Sequence, residues 1–326
     1  MKPIKKIGVL TSGGDAPGMN AAIRAVVRTG LYRKLEVLGV MRGYEGLIEG
    51  VFLEMHNSSV ANIIQRGGTI LKTARSEEFR TDEGMSKAYQ NLMSQGIDAL
   101  VAIGGDGTFR GAMALGEKYD FPIVGLPGTI DNDLYGTDFT IGYDTAINTV
   151  IQVVDKLRDT AASHNRLFFV EVMGRDAGFI ALRSGIAGGA EDILVPEDPT
   201  DLDKLIAKLQ NDRRENKTSG IIIVAEGDDQ GGALEVARKV KEKCDTYETR
   251  VSIIGHMQRG GSPTCMDRVL ASTLGYDAVN ALLDGQRGVM IGQINKKTAF
   301  IPFEKATKHH QEMNKSMLAM AHVLSL

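Results

Sequence analysis

Short runs of continuously apolar, β-branched residues alternate along this chain with longer stretches whose apolar side chains recur every three or four positions. Residues 4–10, 35–41, 98–103, 122–126, 167–173, 193–196, 221–225, 251–257 and 289–294 carry the first pattern and are predicted strands. Residues 17–31, 82–95, 106–118, 145–162, 202–214, 233–243 and 268–283 carry the second and are predicted helices. In the first helix Ala21, Ala22, Ile23, Val26 and Val27 form the apolar face. The strands do not alternate apolar with polar, as expected when both faces of a sheet are covered. Strand–helix alternation predicts right-handed βαβ units and an α/β, doubly wound, mostly parallel sheet. In such sheets ligands sit beyond the carboxyl ends of the strands, so a functional motif should begin where an apolar run stops.

Composition narrows the class. The chain has 326 residues, 43% hydrophobic, with net charge -3, which excludes a disordered polyelectrolyte. The length predicts about two domains. A balance of 38 basic and 41 acidic residues gives no bulk reason to bind nucleic acid or an anionic membrane. Two cysteines make no disulfide framework and fit a reducing compartment. No signal-peptide core or span of roughly 20 apolar residues occurs, so a cytoplasmic protein is expected. The unexplained excess is glycine: 38 residues, against an average of about 7%.

Polar or glycine residues gather at strand ends in four groups. Thr11-Ser12-Gly13-Gly14-Asp15-Ala16-Pro17-Gly18-Met19-Asn20 follows the first strand, and its glycines and helix start suit a phosphate. An ordinary tight turn fits equally well. It is not a Walker A loop, because no Gly-Lys-[Ser/Thr] occurs. Gly104-Gly105-Asp106-Gly107-Thr108 follows residues 98–103. Its glycines admit a triphosphate and Asp106 can hold Mg²⁺, which takes a carboxylate plus phosphate oxygens and water. A capped helix start is the bland alternative. Pro127-Gly128-Thr129-Ile130-Asp131-Asn132-Asp133 places two mutually repelling carboxylates in one turn. One can serve as general base while the other orients, although Asx-rich turns are common. Last, Met173-Gly174-Arg175, Glu226 and Gly255-His256-Met257-Gln258-Arg259-Gly260-Gly261 stand at three further strand ends and together favour an anionic substrate. The methionines near the C-terminus are expected in the core, and the basic residues of 204–217 on a solvated helix face.

The five motifs, in this order and over nearly the whole chain, resemble the bacterial ATP-dependent 6-phosphofructokinases. The resemblance implies two doubly wound, mostly parallel-sheet domains of phosphofructokinase type with the active site in the cleft between them. Residues 1–141 plus 257–306 would bind ATP and Mg²⁺, and 142–256 plus 307–326 the sugar phosphate. The implied reaction moves the γ-phosphoryl of ATP to the C1 hydroxyl of fructose 6-phosphate, the committed step of glycolysis. Gly13, Arg75, Ser76, Gly105, Gly107 and Thr108 then match ATP contacts, and Asp106 the Mg²⁺ ligand. Asp131 matches the catalytic base, with Thr129, Asp133 and Arg175 as its catalytic companions. Met173, Gly174, Arg175, Glu226, His256 and Arg259 match sugar-phosphate contacts, and Arg166 and Arg250 those supplied by a neighbouring subunit of a homotetramer. Glycine at 107 and 128, where pyrophosphate-using relatives carry bulkier residues, favours ATP as donor. The alternatives are a pyrophosphate-dependent enzyme and a catalytically silent sugar-phosphate sensor. NAD and lipid kinases share only the Gly-Gly-Asp-Gly-Thr motif.

The same resemblance implies an ADP/phosphoenolpyruvate effector site matched by Arg24, Arg28, Arg158, Gly189, Glu191 and Lys217. Asn57 and Glu215 stand where the family has Arg and usually Lys. Both changes remove positive charge, so weakened or altered effector binding is expected.

Overall fold

In the computed structural model the described residues are 3–214, 219–244, 247–308 and 311–325. The chain divides into two compact units: Met1–Ile130 with Leu134–Thr145 and Arg259–Gln311, and Asp131–Asp133 with Ala146–Gln258 and Glu312–Leu326.

In chain order the first unit holds β1 (Lys6–Thr11), α1 (Met19–Tyr32), β2 (Glu36–Val40), α2 (Gly43–Glu49), β3 (Phe52–Glu54), α3 (Asp82–Ser94), β4 (Ala99–Gly104), α4 (Asp106–Tyr119) and β5 (Ile123–Pro127). Helix α5 (Tyr143–His164) contains the boundary after Thr145. The second unit continues with β6 (Arg166–Val172), α6 (Phe179–Gly188), β7 (Asp192–Leu194), α7 (Leu202–Arg214), β8 (Gly220–Ala225), α8 (Gly232–Lys243) and β9 (Glu248–Ile253). The chain returns to the first unit through α9 (Cys265–Leu283), β10 (Val289–Ile294), β11 (Lys297–Pro302) and α10 (Phe303–Lys308), and ends on α11 (Lys315–Leu324) in the second.

The first unit is built on a seven-stranded sheet, β11-β10-β5-β4-β1-β2-β3, parallel except where β3 and β11 pair antiparallel at its edges. Strand β1 has β4 on one side and β2 on the other. The order reverses between β1 and β4, which is where a doubly wound sheet opens a crevice for a ligand. The central strands β4 and β5 are buried along their whole length, as their continuous apolar runs predict. The core includes Leu10, Leu100, Ala102, Phe109 and Phe303, with the last two rings stacked at 5.2 Å. The second unit carries a fully parallel sheet, β7-β8-β6-β9, with Phe169, Ile222, Val224, Leu205 and Val236 in its core.

Four sequence expectations change. Residues 251–257 are not one strand: β9 ends at Ile253 and Gly255–Arg259 forms a 3-10 turn. The turn begins at Gly255, whose φ of 55° breaks the strand. Strand β9 lies at the sheet edge and is not continuously buried. The C-terminal methionines are not core: Met320 is 42% exposed, and Ala321 is the buried residue of α11. Lys208 is not solvated, since its ammonium donates to the Glu191 carbonyl at 2.5 Å and to Ser325 Oγ at 2.9 Å.

Phe303→Ala should cost about 3–5 kcal/mol, because it leaves a cavity beside Phe109 that the sheet cannot close. Met320→Ser should stay within about 0.5 kcal/mol. Denaturant midpoints of the two variants check both.

Candidate functional site

Three strand-end loops of the first unit are laced together by their backbones. The Ser12 amide donates to the Ile103 carbonyl at 3.0 Å and the Gly128 amide to the Gly104 carbonyl at 3.0 Å. The Thr108 hydroxyl donates to the Ser12 carbonyl at 3.0 Å. Such closeness requires missing side chains. A Cβ on Gly104 would lie 2.4 Å from the Ser12 carbonyl oxygen and 2.3 Å from Thr108 Oγ1. The Thr73 hydroxyl donates to the Gly13 carbonyl at 2.7 Å, which brings the segment bearing Arg75 and Ser76 to the first loop. Arg75 is exposed, and Ser76 Oγ accepts the Phe79 amide at 3.2 Å. Gly13, at φ 85°, is exposed.

Helix α4 starts at Asp106, so the amides of Asp106 and Gly107 belong to its first turn, which has no acceptors within the helix, while the Thr108 amide donates to the Gly105 carbonyl at 3.0 Å. A Cβ on Gly107 would meet nothing within 4 Å, whereas one on Gly128 would meet Ile103 Cγ2 and Met19 Cε at 3.0 Å. The two glycines expected to face the nucleotide therefore differ. Gly107 opens to free space, and Gly128 is required by packing inside the unit. Asp106 is paired with Arg110 one turn on, at 3.1 Å and 3.0 Å.

The segment after β5 leaves and returns through a narrow neck. The Ile141 amide donates to the Pro127 carbonyl at 2.8 Å, and the Thr140 hydroxyl donates to the Thr129 carbonyl at 2.6 Å. Thr129, Asp131 and Asn132 are buried, and Asn132 adopts φ 54°.

In the second unit the ends of β8, β6 and β9 stand side by side. Glu226 follows β8, Met173-Gly174-Arg175 follows β6, and His256 follows β9. Glu226 Oε1 accepts the amides of Gly174 at 3.3 Å and Arg175 at 2.7 Å. These bonds hold Arg175 at φ 57°, a left-handed conformation that costs about 1–3 kcal/mol for a non-glycine. The Arg175 side chain is 70% exposed. Met173 is buried and His256 exposed. Arg259 belongs to the first unit, where its guanidinium donates to the Asp15 carbonyl at 3.3 Å.

Arg166 and Arg250 lie on adjacent strands and share one carboxylate. Arg166 donates to Glu248 at 3.1 Å, and Arg250 pairs with the other oxygen. The hydrogen bond from Arg166 holds the Glu248 carboxyl below its usual value, opposed by desolvation and aided further by the charges of Arg166, Arg250 and His164. Arg24 and Arg28 sit one turn apart on α1. Burial, and then the Arg28 charge, lower Arg24 from its ordinary value. In the second unit Arg158 donates to the carbonyls of Gly188 and Gly189 at 2.5 and 2.6 Å. Glu191 is buried beside Gly220. Asn57 is an exposed residue of the first unit, while Lys217 and Glu215 lie outside the described residues.

Three supporting residues carry no role in the sequence reading. Gln258, fully buried, accepts the Met173 amide at 3.2 Å and donates to the Gly255 carbonyl at 3.1 Å. Both oxygens of Glu197 accept the Gly178 amide, at 2.9 and 3.1 Å, and burial raises its carboxyl. Asn20 donates to the carbonyls of Arg66 and Gly67 and accepts the Ile70 amide, tying that loop to α1. Gln258 and Asn20 at least stand inside motifs singled out in the sequence; Glu197 gives no sequence signal.

Residues 6–282 match the family model described as Phosphofructokinase. Over 326 residues the chain is 54% identical to ATP-dependent 6-phosphofructokinase 2 of Bacteroides thetaiotaomicron, covering all of both chains. It is 55% identical over 323 residues to ATP-dependent 6-phosphofructokinase 1 of Thermus thermophilus, covering 99% of this chain and 100% of that one. The solved structure of phosphofructokinase from Saccharomyces cerevisiae superposes with a TM-score of 0.87 at 41% identity, covering 98% of this chain. This chain spans 47% of that yeast chain. With the family model covering most of its length and full-length relatives above half identity, the chain belongs to the phosphofructokinase family.

Proposed function

We propose that the protein transfers the γ-phosphoryl group of ATP to the C1 hydroxyl of fructose 6-phosphate, giving fructose 1,6-bisphosphate and ADP in glycolysis. The observation that carries this reading is the laced row of glycine-rich strand ends in the first unit, in a chain whose full-length relatives are named for ATP-dependent chemistry. Phosphoryl transfer needs little covalent chemistry from a protein, only positioning and charge stabilisation. Backbone amides at Gly13, Gly105 and Gly107, with the exposed Arg75, supply donors for a triphosphate, and Thr108 lines the same loop. Ser76, the residue after Arg75, is read as a further nucleotide contact.

Asp106 is the residue that would hold Mg²⁺. One carboxylate beside an open glycine suits a cation that arrives with phosphate oxygens and keeps its waters. Arg110 would release that carboxylate. Mg²⁺ held there would offset negative charge on the phosphate oxygens. Asp131 takes the C1 hydroxyl proton, and Thr129 and Asp133 orient the reacting groups. Arg175 meets charge on the transferring group; its exposed side chain, now beside Asp176 at 3.8 Å, would swing onto it. Met173, Gly174, Glu226, His256 and Arg259 bind the sugar phosphate. Arg166 and Arg250 reach it from the neighbouring subunit of a homotetramer, exchanging Glu248 for the phosphate dianion. The enzyme works in the cytoplasm. Among the described residues no helix is long and apolar enough to cross a membrane.

Arg24, Arg28, Arg158, Gly189, Glu191 and Lys217 form the proposed ADP/phosphoenolpyruvate site. Asn57 and Glu215 weaken it, the first by losing a charge-assisted contact and the second by repelling phosphate.

Asp131→Ser should lower kcat by about 10²–10⁴ while fructose 6-phosphate affinity stays near wild type, since a positioned base contributes about that much. Unchanged turnover in a coupled fructose 1,6-bisphosphate assay removes the base assignment. In the same assay ATP should serve as donor and pyrophosphate should not. Gly107→Ala should raise the KM for ATP without lowering Tm, because its Cβ meets no protein atom within 4 Å. Turnover with pyrophosphate alone overturns the donor reading. ADP should activate weakly or not at all, and a full ADP activation curve would contradict the charge argument at Asn57 and Glu215.

A further inference from the structure

We infer that Asp267, buried in the first turn of α9, is a positioning residue that clamps the neck of the loop bearing Thr129 and Asp131. The inference rests on the proposed reaction for its kinetic consequence, and on geometry alone for the clamp.

Asp267 is 1% exposed. Its Oδ1 accepts the Gly142 amide at 2.8 Å. Its Oδ2 accepts the Thr145 amide at 2.8 Å and the Thr145 hydroxyl at 2.5 Å. Those amides belong to the start of α5, whose first turn has donors with no partner inside the helix. The preceding Gly142 has no side chain with which to cap. Asp267 supplies the missing acceptor from another helix. Thr264 closes the arrangement: its hydroxyl donates to Asp144 at 2.6 Å, and its amide donates to Thr145 Oγ1 at 3.0 Å.

The clamp has a firm base and a sensitive load. A Cβ on Gly275 of α9 would stand 2.8 Å from the Ala22 carbonyl of α1, so the two helices meet at backbone distance. The load begins one residue before Gly142. Ile141 is hydrogen-bonded to Pro127, and Thr140 holds the Thr129 carbonyl. Gly142, at φ 104°, has no room for a Cβ against Ala16 at 2.7 Å. The Asp267 carboxylate thus fixes the returning limb against the phosphate loop of residues 11–18 and, through it, the limb that leads to Asp131.

Stability alone does not account for the charge. Burial pushes the Asp267 carboxyl up to about 6, the bonds from Thr145 and Gly142 oppose that rise, and the Asp144 charge adds to it. A raised carboxyl is favoured by the fold in its neutral form. Its ionisation therefore costs stability as pH rises from about 4 through 6, and the cost is fully present at neutral pH.

Asp267→Asn keeps the shape and gives up one acceptor oxygen, leaving an amide donor facing a helix donor. At pH 7 the variant should lose about 10–100-fold in kcat, the size expected when reacting groups shift by an ångström. Its KM for ATP should stay within about threefold, since the first-loop amides are untouched, and its Tm should be no lower than wild type. Thr145→Val keeps both amide bonds and removes one hydroxyl, so its kcat loss should be smaller. Hydrogen exchange should show residues 127–145 losing protection in Asp267→Asn. Wild-type kcat in Asp267→Asn, or kcat, Tm and ATP affinity falling together, overturns the inference. If Asp267→Asn does not fold, wild-type kcat in Thr145→Val overturns it. An inactive wild-type protein would refute the proposed reaction instead, and the exchange pattern would still decide the clamp.

Discussion

Backbone segments can pack against one another closely only where no Cβ stands in the way, and the loops of the first unit are arranged around that limit. Parallel strands all end on one edge of the sheet, which gathers the loops after β1, β4 and β5. Each loop must pass close to its neighbour as well as to a ligand. Gly104 answers the first demand, since its absent side chain makes room for the Ser12 carbonyl, and Gly107 answers the second by opening to free space. Gly43 shows the same close approach elsewhere, where a Cβ would lie 2.7 Å from the Thr11 carbonyl. Glycine excess in this chain is therefore partly a matter of loops packed backbone to backbone.

The second unit solves a related problem with acceptors. The turn after β6 must present Arg175 in a left-handed conformation, and a Cβ on Gly227 would strike the Arg175 carbonyl at 2.2 Å. Glu226 and Gln258 each accept amides of this turn from adjacent strand ends. A strained residue persists where its surroundings over-determine it. Here the surroundings are a carboxylate and a buried amide side chain, which hold the backbone while leaving the guanidinium exposed.

The long parallel strands and the helices between them were legible because their periodicity is set by burial on both faces. The edge strands β3 and β11 were not, because half-exposed antiparallel strands have no continuous apolar run. Helix α6 was missed for the opposite reason: it is apolar almost all round, so no face stands out. Motif residues such as Asp106 and Glu226 stood at strand ends as the fold class requires. Their partners did not announce themselves. Asp267 reads in sequence as an ordinary acidic residue in a helix's first turn, which complements the helix dipole. Only tertiary structure shows that its carboxylate serves the first turn of a different helix.

Lys208 and the arginine pairs divide along the same line. Lys208 looked like surface charge, yet two of its three N–H donors are spent on a carbonyl and a hydroxyl inside the fold. Arg24 and Arg28 are four residues apart on one helix face, an arrangement that costs a few tenths of a kcal/mol in like-charge repulsion. Burial adds to the cost at Arg24. Positive charge crowded against positive charge is stabilised by an anion, and the same pair placed beside a carboxylate would not be. Glu248 supplies that carboxylate to Arg166 and Arg250. The two arginine pairs thus differ in how much an incoming phosphate gains: at Arg24 and Arg28 it relieves repulsion, whereas at Arg166 and Arg250 it must first displace a bound carboxylate.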